Sequence, residues 1–103
     1  MGLTESEAVA AGFDVKAASY PTGNVAGSSV QGVGAVGTSK LVVDEQRHVV
    51  VGATFTGANV QELLHSATVA IVGEVPIERL WHAVPSFPTV SEVWLRLMEA
   101  YGL

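Results

Sequence analysis

Cysteine is absent from the 103 residues. No disulfide framework, thiolate metal site or redox-active thiol can therefore come from this chain's own side chains. Basic residues are scarce, five Lys and Arg against ten Asp and Glu, for a net charge of −5. They form no cluster, which argues against nucleic acid and anionic membranes as partners. Long apolar runs are missing too, and the uninterrupted ones fall far short of a membrane span. Met1-Gly2-Leu3 leads straight into a polar segment, without the basic and apolar regions of a signal peptide. The setting this implies is the cytoplasm. Charge as a whole is low, 15 % of residues against 49 % hydrophobic. That is ample material for one core. It leaves little polar surface to cover a monomer, so some apolar surface is expected to meet a partner.

The pattern along the chain predicts a single α+β domain. Thr4-Glu5-Ser6-Glu7 spells a capping box for a short helix that ends near Ala11, with Gly12 as its left-handed stop. Phe13 to Tyr20 suits a strand. Pro21 to Gly37 is rich in Gly, Ser and Val and reads as a long loop, a length that hints at something docked against it. Ser39–Val43 and His48–Thr56 read as a hairpin around Asp44-Glu45-Gln46-Arg47. Strict alternation puts Val49, Val51, Ala53 and Phe55 on one face of the second strand and Val50 on the other. With both faces partly apolar, this strand is expected to be central. A helix then starts at Gly57 or Asn59, with Val60, Leu63, Leu64, Ala67 and Ile71 at helical spacing and Gly73 as its stop. Val69, Ala70 and Val72 widen its apolar stripe, so it is expected to be buried on more than one side. Pro76–Leu80 forms a helical turn. A last helix begins at the second capping box, Thr89-Val90-Ser91-Glu92, and carries Val90, Val93, Trp94, Leu97, Met98 and Tyr101 on one face.

Little in this pattern carries chemistry. Gly32-Val33-Gly34-Ala35-Val36-Gly37 spells G-x-G-x-x-G, but a dinucleotide site needs a strand before it and a helix after it. Here a loop precedes the motif and a β-type run follows, so a chance match in a Gly-rich loop is the better reading. His48, His65 and His82 are not spaced for a metal and no carboxylate cluster supports them. Ser66 and Ser86 lack the surroundings of an activated nucleophile. Trp81 and Trp94 flank Val84-Pro85-Ser86-Phe87-Pro88 and suit either core packing or the centre of an interface. Glu92, third residue of its helix, can cap Thr89 and pair with Arg96, and these structural duties account for it.

Taken in order, the segments resemble the C-terminal dimerisation domain of the pyridine nucleotide-disulfide oxidoreductases, the family of glutathione reductase, dihydrolipoamide dehydrogenase and mercuric reductase. The resemblance is carried by Gly2-Leu3-Thr4-Glu5-Ser6-Glu7-Ala8, Lys40-Leu41-Val42-Val43-Asp44 and Val51-Gly52-Ala53-Thr54-Phe55-Thr56-Gly57. It continues through Asn59 to Gly73, with Glu62-Leu63-Leu64-His65, and into Phe87-Pro88-Thr89-Val90-Ser91-Glu92. It covers nearly the whole chain. It implies an antiparallel sheet with helices packed on one face, and self-association as the chain's task. It further implies a parent enzyme that uses FAD and NAD(P)H, whose FAD and NAD domains are further partners. Alone, the chain is expected to hold no cofactor or metal and to catalyse nothing.

Two departures from the family pattern matter. The strand that normally precedes the Gly-Leu-Thr segment is missing, so residues 1–103 are expected to begin inside the domain and to leave a sheet edge open. Phe87 stands where the family has its catalytic His, and Phe cannot move a proton. Glu92 keeps the position of the family's catalytic Glu. The backbone at Phe87-Pro88, expected to be cis, would face the flavin of the partner subunit. A parent enzyme lacking the His suits an acceptor that needs no thiol protonation, such as a quinone. Trp81, Val84, Phe87 and Trp94 are the expected dimer-interface residues. The alternative is a stand-alone self-associating or ligand-binding domain with no redox activity; a small hydrolase is the weakest reading.

Overall fold

Thr4 behaves as its spelling requires. In the computed structural model, which describes residues 1–22, 37–57, 60–85 and 90–103, its hydroxyl accepts from the Glu7 amide and the Glu7 carboxylate accepts from the Thr4 amide. Helix α1 (Glu5–Ala10) follows, and Gly12 takes the left-handed conformation, φ 91°. Three strands, β1 (Val15–Pro21), β2 (Thr38–Asp44) and β3 (Val49–Phe55), form an antiparallel meander in the order β1-β2-β3. Helices α2 (Gln61–Val72), α3 (Ile77–Leu80) and α4 (Val93–Tyr101) complete the described chain, with a 3₁₀ turn at Val90–Glu92 leading into α4. The interior of the expected long loop, residues 23–36, and the start of the α2 segment at 58–59 lie outside the described residues.

The α+β reading holds. Helix α2 lies over β3 and α4 over β1 on the same face of the sheet. Between helices and sheet, Leu41, Val43, Val50, Leu63, Ala67, Ile77, Val93, Leu97 and Met98 form the main core. The small helix α1 occupies the opposite face. There Ala8 packs with Val42, Val49 and Val51, flanked by Leu3 and Val15. Sheet residues are thus buried on both faces, which explains why β2 reads as the near-continuous apolar run Leu41-Val42-Val43.

Strict alternation fails in β3. Val42 pairs with Gly52 but Val43 pairs with Val50, so Val51 is an extra residue. Such a bulge shifts every later side chain to the other face. Val49 and Val51 therefore point toward α1, while Val50, Ala53 and Phe55 join the helix-covered side. The expected grouping of Val49, Val51, Ala53 and Phe55 is corrected accordingly. The central strand of the three is β2, not β3.

The outer edge of β3 is nevertheless occupied. The Leu3 amide donates to the Val51 carbonyl at 2.9 Å, and the Ala53 amide donates to the Met1 carbonyl at 2.8 Å. Gly2 and Gly52 bridge between these bonds. Glycine is required here: a Cβ on Gly52 would stand 1.7 Å from the Leu3 carbonyl oxygen, and one on Gly2 would stand 2.3 Å from the Val51 carbonyl oxygen. Further along the same edge the Ile77 amide donates to the His48 carbonyl at 2.7 Å. The edge expected to be open is thus covered in part by three residues and the start of α3. Replacing Gly52 with Val should expel the Met1–Leu3 segment and cost roughly 0.5–3 kcal/mol. Urea denaturation measures the loss, and amide exchange at Leu3 and Ala53 shows whether the segment detaches; unchanged protection of both would refute this account.

Candidate functional site

Glu92 ends the 3₁₀ turn that feeds α4 and is buried. Its Oε2 accepts from Arg96 Nε at 3.3 Å and from Nη2 at 3.2 Å, the pairing expected four residues along a helix. Arg96 also reaches Glu99, 2.8 Å away, and these two carboxylates raise its pKa, Glu99 more strongly. The second oxygen of Glu92 is buried without a partner among the described residues. Phe87, Pro88 and Thr89 lie outside the described residues, and so do the expected cis bond, the Thr89 cap and Ser86. Only the Arg96 half of the structural account of Glu92 is therefore on view.

The remaining interface candidates divide. Trp94 is 8 % exposed. Its ring stands 5.8 Å from that of Phe55, and its Nε1 donates to Ser66 Oγ at 3.0 Å. Such a residue belongs to the protomer's own core. Trp81 is partly buried against the same cluster, whereas Val84 is 79 % exposed. Of the two readings open for the tryptophans, packing within the chain accounts for Trp94 and for much of Trp81.

Helix α2 carries a feature outside the expected interface residues. Leu63, Ala67 and Ala70 are buried beneath it. On its outer side Leu64 is 44 % exposed, Val69 54 % and Val72 74 %, with His65 beside them. No charged residue occurs between Glu62 and Glu74. A surface helix ordinarily turns charged side chains to water. The sequence signal was the width of the apolar stripe, which predicted burial on more than one side. Among the described residues, only one side is covered.

Of the Gly-rich motif only its last residue, Gly37, is among the described residues. Gly37 runs directly into β2, and its carbonyl accepts from the Thr22 amide at 2.9 Å. No helix follows it to receive a phosphate at its N-terminus, so the dinucleotide reading fails on local structure. Among the described residues no group of three or more His, Asp or Glu is arranged to hold a metal. No helix is long and apolar enough to cross a membrane among the described residues.

His48 has a structural task. It sits in the left-handed region at the end of the hairpin turn, φ 56°, a conformation in which His is enriched among non-glycine residues. Its Nδ1 lies 2.6 Å from Glu78 Oε1. That hydrogen bond and the Glu78 charge raise the His48 pKa above 6.5, and the same bond lowers Glu78 below 4.5. Beside it Asp44 Oδ1 accepts from the amides of Gln46 and Arg47, while Arg47 reaches both Asp44 and Glu74 at 3.1 Å. Burial pushes the Asp44 carboxyl up, but these hydrogen bonds outweigh it and hold its pKa low. The cluster clasps the hairpin turn to the α2–α3 connection. The His48–Glu78 bond stabilises fully below the unfolded His pKa and is lost as pH rises through the raised folded value. On the Glu78 side it is present above the unfolded Glu value and lost as pH falls through the lowered one. Glu78→Gln should therefore destabilise the chain most between these limits and converge with the parent sequence above the folded His48 pKa. Denaturation midpoints across pH, with an NMR titration of His48, check this; a His48 midpoint unmoved by Glu78→Gln would rule the pairing out.

Comparison with known proteins accords with the geometry. The profile of the family "Pyridine nucleotide-disulphide oxidoreductase, dimerisation domain" matches residues 1–98. Dihydrolipoyl dehydrogenase of Thermus scotoductus is 32 % identical over 100 residues, spanning 97 % of this chain and 22 % of that protein. Mercuric reductase of Staphylococcus aureus is 32 % identical over 92 residues, spanning 89 % of this chain and 17 % of the reductase. Among solved structures, the Cu(II) complex of the HOCl-induced flavoprotein disulfide reductase RclA from Escherichia coli superposes with a TM-score of 0.86 at 21 % identity. It covers 95 % of this chain and 22 % of that one, a likeness of fold. The chain thus spans about a fifth of the length of these relatives. With the match running from Met1 into α4 and the sheet, helices and order of elements all in agreement, the chain belongs to the dimerisation-domain family of the pyridine nucleotide-disulfide oxidoreductases.

Proposed function

We propose that this domain joins two copies of a longer FAD- and NAD(P)H-dependent oxidoreductase, and that the outer face of α2 is a central part of the contact. The observation that carries this reading is the uncharged outer stripe of α2, with Val69 and Val72 in water in a domain of a dimerisation family. A two-fold contact places the same patch on both copies. For a chain with a net charge of −5, a helix face free of carboxylates also avoids like-charge repulsion between copies. Val84, equally exposed, and Trp81 extend the apolar surface available to a partner. Phe87 and Pro88 remain proposed contributors, through their backbone, to the flavin environment of the partner subunit. The FAD and NAD domains of the parent chain are its other proposed neighbours. A cytoplasmic setting is in keeping with the family.

Val72→Glu puts two like charges at the centre of such a contact and should weaken self-association by at least about tenfold. Sedimentation of the chain across a concentration series measures it, and the same preparation should show no flavin absorption. Self-association untouched by Val72→Glu would remove α2 from the interface. A stoichiometric flavin would overturn the reading of this chain as cofactor-free on its own.

The chemistry of the parent enzyme rests on position 87. With Phe where the family has a catalytic His, no side chain there can shuttle a proton to a dithiol, and Glu92 is paired with Arg96 through one oxygen. We infer an acceptor that needs no thiol protonation, of the quinone type. Phe87→His in the parent enzyme should raise dithiol–disulfide turnover, by up to the roughly 10²–10⁴-fold that general acid–base catalysis provides. Unchanged turnover would leave the quinone-type reading without support.

A further inference from the structure

A cavity of about 190 Å³ opens between α2, the segment after α3, and α4. Leu80, Ala83 and Pro85 line it from one element, Trp94 and Met98 from another, and Ser66 and Ser91 bring the hydroxyls. None of these residues ionises. The exposed residues Leu64, Val69 and Val72 do not line it, so it is distinct from the outer stripe of α2.

The cavity is open to solvent on one side, and its described lining offers water few partners. The Ser66 hydroxyl is already engaged twice: it donates to the Leu63 carbonyl at 2.7 Å and accepts from Trp94 Nε1 at 3.0 Å. The Ser91 side chain lines the cavity without a hydrogen bond to any other described side chain. For scale, an enclosed apolar cavity of about 150 Å³ takes up benzene. The space here suits one six-membered ring with a small substituent. Trp94 and Met98 favour an aromatic occupant, because ring–ring and sulfur–ring contacts both add to area burial. The indole is held in place beforehand by Ser66 on its nitrogen and by Phe55, 5.8 Å away between ring centres. A fixed wall lowers the cost of ordering on binding. No cation is present among the described lining residues, which on a chain of charge −5 disfavours anions.

We propose that this cavity binds a small neutral aromatic molecule, a single ring whose hydroxyl or carbonyl oxygen pairs with Ser91. The test uses the 103-residue chain and phenol, followed through the Trp94 indole N–H resonance. Phenol should shift that resonance saturably. Benzoate, the anionic counterpart, should bind at least about tenfold more weakly. Ser91→Ala should weaken phenol but leave benzene unchanged, and Ala83→Phe should fill the cavity and abolish both. Val72→Glu, which breaks the proposed contact between copies, should leave phenol binding intact, so the two proposals fail separately. The proposal is overturned by a Trp94 signal that does not saturate, by equal affinity for benzoate, or by Ser91→Ala weakening benzene as much as phenol. Dissociation of the self-associated chain by phenol would also overturn it, because the occupant would then be a side chain of the second copy.

Discussion

The double-sided burial of the β2–β3 hairpin is the constraint on which the rest of the domain depends. Leu41 and Val43 must face the helices while Val42, between them, faces α1. Alternation in a strand supplies this for β2 without special provision. In β3 it does not, because Val49 and Val51 are needed on the α1 side and Ala53 and Phe55 on the other. The extra residue at Val51 resolves the conflict by shifting the parity of the strand. Its consequence is local and steric. Gly52, next to the bulge, is where the Met1–Leu3 segment crosses, and only a residue without Cβ admits that backbone.

Polar interactions secure the ends of this arrangement. At one end the Asp44–His48 turn is tied to Glu74 and Glu78. At the other the Thr22 and Ser39 hydroxyls meet at 2.6 Å in a buried setting. On the β1 side Lys16 donates to the Tyr101 carbonyl at 2.6 Å and stands over its ring, so the end of α4 is held to the sheet. Burial, followed by the nearby Glu45 carboxylate, raises the Tyr101 pKa, in keeping with a phenol kept neutral at this junction. The ion pairs of Arg47 with Glu74 and of His48 with Glu78 are half in water and act mainly on geometry, since exposed ion pairs contribute little net free energy.

Helix α2 is apolar on both of its sides. The buried side of α2 is aliphatic and small, Leu63, Ala67 and Ala70, which lets the helix lie close over β3. Its outer side is also apolar, and here physical reasoning from composition and from structure converge. A low share of charged residues predicted uncovered apolar surface, and α2 is where much of it lies. By contrast Trp94, one of the residues expected at an interface, is turned inward, with its indole nitrogen bonded to Ser66 and its ring beside Phe55.

What the sequence determined by itself is the part governed by neighbours a few residues apart. The Thr4 capping box, the left-handed Gly12, the period of α2 and α4 and the Glu92–Arg96 pair are all local, and each formed as its residues imply. The order of segments was also enough to show the family, because it samples the whole chain at once. The tertiary structure alone decided which strand is central, where β3 changes face, and whether Trp94 turns in or out. Those outcomes depend on contacts such as Gly2 with Gly52 and Ser66 with Trp94. A single inserted residue reverses the face of all that follow it, and nothing in Val49-Val50-Val51 distinguishes the extra valine from its neighbours. The burial required on both faces of the sheet makes that choice.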